Sequence, residues 1–592
     1  MSIKITMPDG GVKEFEKDSP ELLPILRHTA AHVLAYAVIK EFSGTELAIG
    51  PSTDDGFYYD IAFPKPISPE VFPNLEARMR EIIEAKLPIA REDLSIAAAK
   101  KLFAGRKYKL ELIKDLREQG EKSVSVYRMG EFVDLCRGPH LPTTGYLDAR
   151  AVKLLSLAGA YWRGNSKNDM LTRIYGTAFS TKAGLEAHLK MLEEAAKRDH
   201  RKLGKEMDLF HFEPEFAPGG VFWHPNGWSM FRSLVDYMRA RQNAEGYIEI
   251  NTPSVCSRKM WETSGHWDKF SQHMYYSKVL EDDTEFAVKP VNCPGGMLYF
   301  KQGIKSYRDL PLKVAEFGKV DRFEASGALF GLMRVREFTQ DDAHIFCTPE
   351  QLEAESVKVV KLIMDIYKDF GFGKVRIKLS TRPEKRLGSD EIWDISERAL
   401  GDALKNNGYE YTIFPGEGAL YGPKLEFVLT DSLGRDWQCG TLQLDMNLPE
   451  RFGISYVDAK GEKQRPVMLH RALFGSLERF MGILIEHTAG RLPLWLSPVQ
   501  AVVASISEEA ETYAREVSTR LQSMGIRAEL DVRSDKIGYK VREHSLKKVP
   551  YIAVVGKKEA EAGLVSVRSL GGETEESMKL DEFVEKLQEE IK

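Results

Sequence analysis

Hydrophobic and polar positions divide the chain into blocks of different period. Residues 1 to about 18 hold two short alternating runs around a Pro-Asp-Gly-Gly turn signal, which predicts a hairpin too small to be a domain. From Pro24 the run ILRHTAAHVLAYAVIKEF predicts a helix with His28 and His32 one turn apart on one face. An aromatic strand (GFYYDIAF) and a charged amphipathic helix around Leu75 to Lys86 follow. In GEFVDLCRGPH, alternation puts Phe132, Asp134 and Cys136 on one strand face; Arg137-Gly138-Pro139 ends the strand and His140 lies on the turn. The run from LAGAYWRG to RIYGTAF predicts further strands.

Residues 182 to 206 are highly charged, with Leu185, Leu189 and Leu192 on one stripe, and predict a stiff linker helix. Beyond it FRSLVDYMRARQNAEGY predicts a long amphipathic helix, and IEINTPSV a strand interrupted by Pro253, which suits a sheet edge. Strands joined by hairpin turns then favour an antiparallel sheet in a mixed α+β domain. After LPLWLSPVQ, β and α runs alternate and predict a small α/β domain with a largely parallel sheet. The expected boundaries are 1–20 for the opening strands, 21–181, a linker at 182–206, 207–495 and 496–592.

Composition narrows the class. A chain of 592 residues with 43% hydrophobic and 29% charged residues is an ordinary multidomain globular protein. A net charge of −5 means that any nucleic-acid contact must come from local basic patches, such as Lys536, Lys540, Arg542, Lys547 and Lys548. Such a run is also what a solvated helix face looks like. Five cysteines without regular spacing suggest a reducing compartment rather than a disulfide framework. The N-terminus lacks a signal-peptide core, and no uninterrupted apolar run approaches about 20 residues, so a cytoplasmic protein with no membrane association is expected.

The candidate chemistry lies in two places. Cys293 in KPVNCPGG and His344 in FTQDDAHIF sit in strand-like runs, and His470 stands in PVMLHRALFG. Three N/S ligands would leave a fourth zinc position open to substrate. Arg322 and Arg334 lie in the same stretch, and Arg479 follows His470 by what helical periodicity makes two and a half turns. Guanidinium groups there suit a polyphosphate. The second set is His28, His32, Cys136 and His140. It could be a tetrahedral zinc set, a polar pocket that positions water beside a nucleic-acid 3′ end, or four ordinary buried polar residues. The residue after His28 is Thr29, so the glutamate that a helical zinc protease needs is absent.

Blocks in register across the chain carry a resemblance. They are HTAAH, AIGPSTDDGFYYD, VDLCRGPH, AYWRGNS, RIYGTAF, EAAKRDHRKLG, SGHWDKF, KPVNCPGG, the region of Arg322 and FTQDDAHIF, STRPEKRLGSDE, YGPKLEF, QCGTLQLD, HRALFGSLERF and KIGYKVREH. Over nearly its whole length the chain resembles the threonyl-tRNA synthetases, which are class II aminoacyl-tRNA synthetases. The resemblance implies an α+β multidomain protein: an N-terminal α+β editing domain, a class II antiparallel-sheet catalytic core and a C-terminal α/β anticodon-binding domain. It implies a homodimer, with Pro253 at the interface, that joins threonine to tRNA(Thr) using ATP and Mg2+.

By similarity Cys293, His344 and His470 hold one Zn2+ per subunit, which binds threonine through its amino and hydroxyl groups and so rejects valine. Arg322 is implied as the α-phosphate arginine, Arg479 as the γ-phosphate clamp, Glu324 and Arg334 as ATP contacts, and Phe338 as the adenine platform. Gln340, Asp342, Tyr421, Lys424, Gln438, Thr441 and Gln443 are implied around threonine and its adenylate, with Asp342 on the amino group and Lys424 catalytic. His266 is implied in transfer to the tRNA ribose. Serine differs from threonine by one methyl, worth only about 1–3 kcal/mol, so a hydrolytic second site is needed. The resemblance assigns that site to His28, His32, Lys109, Asp134, Cys136 and His140 as a metal-free pocket, whereas spacing alone favours a metal. Lys536, Glu559 and Arg568 are the expected tRNA contacts. The chain departs from the family at Gly296, where many members have histidine, at Lys319 to Asp321 and Phe323 around Arg322, and in having only the opening strands of a small N-terminal domain. An inactive RNA-binding paralogue would have lost a motif arginine or zinc ligand, and a pure deacylase would have a decayed middle domain; neither loss is seen.

Overall fold

The structure, a computed structural model, describes residues 2–279, 281, 283–572 and 575–591. It divides into two compact units, Met1–Glu193 and Glu194–Lys592.

In the first unit β1 (Ser2–Thr6) and β2 (Val12–Glu16) form the expected hairpin. Its Ile3, Ile5 and Phe15 are buried in the same core as Leu26, Val33 and Leu34 of helix α1 (Leu23–Glu41). That helix has the length and hydropathy of a membrane span, but 78% of the relevant window is buried. A helix apolar on all sides belongs in a core. Strand β3 (Phe57–Ala62) packs beside it, helix α2 (Lys107–Glu118) follows, and β4 (Phe132–Leu135) edges a three-stranded sheet.

The predicted linker is two helices, α3 (Lys182–Arg198) and α4 (His200–Glu206). Asp199 breaks the run because its carboxylate caps the second helix, accepting from the Arg201 amide at 2.8 Å. The leucine stripe does not hold: Leu185 is buried and Leu192 is exposed.

In the second unit the long amphipathic helix is α5 (Pro225–Ala244). It leads to the short strand β5 (Ile248–Glu249), helix α6 (His266–Phe270) and helix α7 (Cys293–Phe300). Next come β6 (Leu312–Asp321), β7 (Glu337–Cys347), β8 (Val375–Ser380), β9 (Tyr411–Phe414), β10 (Lys424–Thr430), β11 (Asp436–Asp445) and β12 (Val467–Ser476). They form one eight-stranded sheet in the order β5-β6-β7-β12-β11-β10-β8-β9, antiparallel except for the outermost pair at each edge. Pro253 lies outside any strand: β5 ends before it and pairing resumes only at Val255. β5 is an edge strand, as the proline suggested.

Helix α8 (Leu477–Thr488) packs under the sheet. Cys293 therefore opens a helix, not a strand, because Pro294 fixes the first turn. His470 is in a strand and Arg479 in the first turn of α8, so the helical spacing read between them does not exist.

The C-terminal sheet comprises β13 (Ala501–Ser505), β14 (Ala528–Asp531), β15 (Tyr551–Val555), β16 (Leu564–Ser569) and β17 (Glu575–Lys579), with helix α9 (Ile537–Leu546) between β14 and β15. In the order β14-β13-β15-β16-β17 the first three are parallel and the last two antiparallel. Lys540 leaves the basic surface: it is 1% exposed, and its ammonium donates to the Ser505 carbonyl at 2.9 Å. The five described cysteines are all free.

Candidate functional site

Alternation in β7 gives one face Phe338, Gln340, Asp342 and His344, while Ala343, Ile345 and Cys347 enter the core beneath. Cross-strand register extends that face. His344 stands opposite His470, His470 opposite Gln443, and Gln443 opposite Lys424. The next row on the same face holds Glu316, Asp342, Thr441 and Glu426. A bulge in β11, where Cys439 and Gly440 oppose the single Phe427 of β10, returns Gln438 to the face of Thr441.

Cys293 reaches this face from α7. The ligand atoms of Cys293, His344 and His470 lie within 4.8 Å of one another. The Tyr421 hydroxyl is 3.7 Å from Cys293 Sγ, and its ring centre is 5.1 Å from that of His470 and 6.1 Å from that of His266. Behind the cluster the Asp445 carboxylate lies 2.9 Å from His470 Nε2 and fixes that ring through its far nitrogen. His344 Nε2, Gln443 Nε2 and Asn292 Oδ1 are buried without a hydrogen-bond partner in the protein. Three such atoms together are a site awaiting polar company. Asn292 also donates to Asp342 at 3.3 Å.

Burial pushes the Cys293 thiol up, but His470 and His344 outweigh it and hold the thiol below its ordinary range. Burial likewise disfavours charge on His470, yet Cys293 and Asp445 carry its pKa above the ordinary value. His344 is lowered, chiefly by burial. Asp342 is raised by burial against the opposing pull of His470. Beside it Lys289 and Glu316 form a buried ion pair at 2.8 Å, which ties the loop before α7 to β6.

Gly318 is required here. A Cβ at that position would lie 2.1 Å from Asn292 Oδ1. Gly318→Ala is expected to cost about 1–3 kcal/mol of stability by overpacking and to displace Asn292 from Asp342. Thermal unfolding checks the cost; an unchanged unfolding midpoint would refute it.

The arginines are held by backbone carbonyls. Arg322 Nε donates to Pro290 O at 3.0 Å, and its guanidinium lies 5.2 Å from the Phe338 ring centre and 5.8 Å from that of Phe270. Arg479 donates to Met333 O at 3.0 Å and Gln438 O at 3.3 Å. Glu324 and Arg334 pair with each other at 2.9 Å, and Lys424 pairs with Glu426 at 2.5 Å. His266 is buried, 2.9 Å from Ser264 Oγ, with its pKa lowered to about 4 by burial and then by Arg322.

The second cluster lies wholly in the first unit. The ligand atoms of His28, His32, Cys136 and His140 are within 4.8 Å of one another. Cys136 Sγ lies 3.2 Å from His28 Nε2 and 3.3 Å from His140 Nε2. The Thr29 hydroxyl, 3.2 Å from His140 Nδ1, donates to the Ile25 carbonyl at 2.9 Å. Beneath them Lys109 Nζ is 2.5 Å from Asp134, and the Tyr59 hydroxyl donates to the same carboxylate. Burial pushes the Cys136 thiol up to about 12 and lowers His28, His140 and His32, the last to about 3. Burial raises Asp134, but Lys109 and His32 overrule it and hold the carboxyl below its usual range. The imidazoles are thus neutral proton acceptors at pH 7. Gly138 has φ +73° and a Cβ there would meet the Tyr127 hydroxyl at 2.0 Å, so the turn that aims Cys136 and His140 needs glycine.

The expected tRNA contacts lie on three separate elements. Lys536 caps α9 just beyond β14, and Glu559 follows β15, where its carboxylate accepts from the Gly556 amide. Arg568 lies in β16, paired to Glu575. Sequence reading missed Asn292, Asp445 and Tyr59. Only Asp445 had a signal, standing two residues past Gln443 on the same strand face.

An antiparallel sheet with an arginine at the end of β6 and another at the start of the helix after β12 defines a class II aminoacyl-tRNA synthetase core. Residues 275–488 match the tRNA synthetase class II core domain (G, H, P, S and T), residues 500–590 the anticodon binding domain, and residues 124–175 the threonyl and alanyl tRNA synthetase second additional domain. The chain belongs to the threonine–tRNA ligase family. It is 55% identical over 594 residues to threonine–tRNA ligase of Rhodospirillum rubrum, covering 100% of this chain and 91% of that one. It is 53% identical over 592 residues to that of Brucella melitensis, covering 98% and 89%. A crystal structure of the RNA binding domain of threonyl-tRNA synthetase from Cryptosporidium parvum superposes with a TM-score of 0.64 at 41% identity, over 66% of this chain and 98% of that one.

Proposed function

We propose that the chain activates threonine with ATP, transfers it to tRNA(Thr), and hydrolyses seryl-tRNA(Thr) in its first unit. The observation that carries this is the meeting of Cys293, His344 and His470 on the sheet face that also bears Asp342 and Gln443.

The donor set fits zinc: a thiol held toward thiolate, two imidazoles, a carboxylate behind one ring and a partnerless nitrogen on the other. When bound, zinc supplies Lewis-acid positions that an amino acid with an alcohol can fill and valine cannot. The chain's own groups do the rest. Asp342 orients the ammonium group, with Asn292 steadying it. Gln340, Gln438, Thr441, Gln443, Tyr421 and Lys424 wall the amino acid and its adenylate. Phe338 offers a face for adenine, while Glu324 and Arg334 exchange their mutual pair for contacts to ATP, which enters with Mg2+. Arg322 stabilises charge at the α-phosphate and Arg479 holds the γ-phosphate. The neutral His266 imidazole takes up a proton as the tRNA ribose attacks. Threonine-dependent exchange of pyrophosphate into ATP tests the reading; its absence in zinc-loaded protein would overturn it.

The first unit supports a metal-free deacylase. Burial holds the thiol of Cys136 above its ordinary range, unlike that of Cys293. The neutral imidazoles can accept a proton from an attacking water. His28→Ala or Cys136→Ala is expected to leave threonine charging intact while seryl-tRNA accumulates; wild-type clearance of seryl-tRNA in both variants would contradict this.

The C-terminal domain supports tRNA binding through Lys536, Glu559 and Arg568. A homodimer is supported by the exposed edge strand β5 with Ile248 at 40% and by Trp228 on α5 at 47% exposure. Light scattering at twice the 67.0 kDa chain mass checks it, and a monomer removes it.

A further inference from the structure

A third cluster of potential ligands lies where α4 meets α8. Ligand atoms of Asp199, His200 and Glu486 are within 4.8 Å of one another. The set has the makings of a metal site, but each member is already committed. The Asp199 carboxylate accepts from the backbone and side chain of Arg201. The Glu486 carboxylate accepts from the His200 amide at 3.1 Å and pairs with Arg435 at 2.6 Å. His200 is fully buried and uses both ring nitrogens. Its Nδ1 lies 2.7 Å from Glu486, and the Leu332 amide donates to its Nε2 at 2.9 Å. An accepting Nε2 puts the ring proton on Nδ1, where it is donated to Glu486. The group is a brace rather than a ligand set.

What it braces is the turn Gly331–Met333, between β6 and β7. That turn lies along one face of α8. Gly482 and Glu486 follow Arg479 by three and seven residues, so all three share the face. At one end Arg479 donates to the Met333 carbonyl at 3.0 Å. In the middle the approach is close, since a Cβ on Gly482 would lie 3.2 Å from Leu332 Cβ. At the other end Glu486 holds His200, and His200 holds the Leu332 amide.

The turn is shaped around the ring. Gly331 has φ +48°, and a Cβ there would lie 2.1 Å from His200 Nε2. The Arg201 guanidinium lies 4.6 Å from the Phe330 ring centre. Phe330 and Arg334 exchange backbone hydrogen bonds at 3.1 and 3.2 Å, so Arg334 is carried on the same turn. Leu332 is fully buried, and without the imidazole its amide would be an unsatisfied donor. The turn could then not keep its place.

The geometry points to His200 as a positioning residue for ATP: through the Leu332 amide it fixes the turn whose Met333 carbonyl aims Arg479 and whose end carries Arg334. The inference rests on the reading of those two arginines as ATP contacts and adds a residue that acts through them.

Two near-isosteres separate positioning from packing. In His200→Gln the side-chain oxygen can stand where Nε2 stands and accept from Leu332. In His200→Asn the amide nitrogen can stand where Nδ1 stands and donate to Glu486, but the side chain stops short of Leu332. His200→Asn is expected to raise the KM for ATP in threonine-dependent pyrophosphate exchange about tenfold, as loosening one charge-assisted hydrogen bond does. The KM for threonine should stay at the wild-type value, and His200→Gln should restore that for ATP. Gly331→Ala leaves the His200–Glu486 pair in place but pushes the Leu332 amide off the ring. It is expected to behave like His200→Asn, and it carries the test if that variant does not fold. Equal KM values for ATP in the Asn and Gln variants overturn the positioning role. So does a threonine KM that rises as much as that for ATP, or a wild-type ATP KM in Gly331→Ala. Arg479→Ala is measured beside them. An unaltered ATP KM there overturns the reading of Arg479, and the proposal falls with it. A raised one, with wild-type kinetics in His200→Asn, overturns the proposal alone.

Discussion

Arg322→Ala is expected to lower threonine-dependent pyrophosphate exchange about 10²–10³-fold, the usual cost of removing one preorganised charge from a transition state. The guanidinium is already fixed before substrate arrives. Its Nε is committed to the Pro290 carbonyl, and the aromatic rings of Phe338 and Phe270 lie within 6 Å of it. The remaining donors form a planar fork, which suits the equatorial oxygens of a phosphate under attack. Arg322→Lys keeps the charge but loses the fork and the stacking, so it should recover only part of the loss. The effect should fall on kcat more than on the KM for threonine, since the residues proposed to hold threonine are others. Exchange kinetics with both variants check this; a loss under about tenfold in Arg322→Ala would count against the assignment.

Asp445→Asn is expected to weaken zinc retention about 10–100-fold, as loss of an outer carboxylate does in histidine-ligated sites. Asp445 is fully buried, lies 2.9 Å from His470 Nε2, and also accepts from the Asn447 and Leu448 amides at 2.7 and 3.0 Å. It therefore holds the ring in one orientation and favours charge on it. An amide keeps the volume but presents a donor or a neutral acceptor, and the ring loses both restraints. Competition with a chelator measures the change. Unaltered retention would mean that the ring is held by the sheet alone.

How much of this was legible follows from where the information lies. The β7 face was readable because Phe338, Gln340, Asp342 and His344 alternate within one strand. The row from His344 through His470 and Gln443 to Lys424 was not, because register between distant strands is fixed by pairing rather than by local pattern. Gln438 shows the limit most clearly: strict alternation puts it opposite Thr441, and only the bulge brings the two to one face. Cys293 was misread as a strand residue although Pro294 beside it marks a helix start. Lys540 looked like surface charge, yet tertiary context buries it against the Ser505 carbonyl. The four-residue cluster in the first unit was visible as two pairs, but the hydrogen bonds by which Thr29 and Tyr59 orient it join segments far apart in the chain and so had no local pattern.

The central claim is that Cys293, His344 and His470 hold one zinc ion that selects an amino acid by its alcohol. Metal content measured together with activation of threonine and valine, in the wild type and in Cys293→Ala, tests it most directly. The account predicts about one zinc per chain and activation of threonine but not valine in the wild type, and loss of both metal and threonine activation in the variant. A Cys293→Ala protein that still prefers threonine to valine with no zinc bound would contradict it.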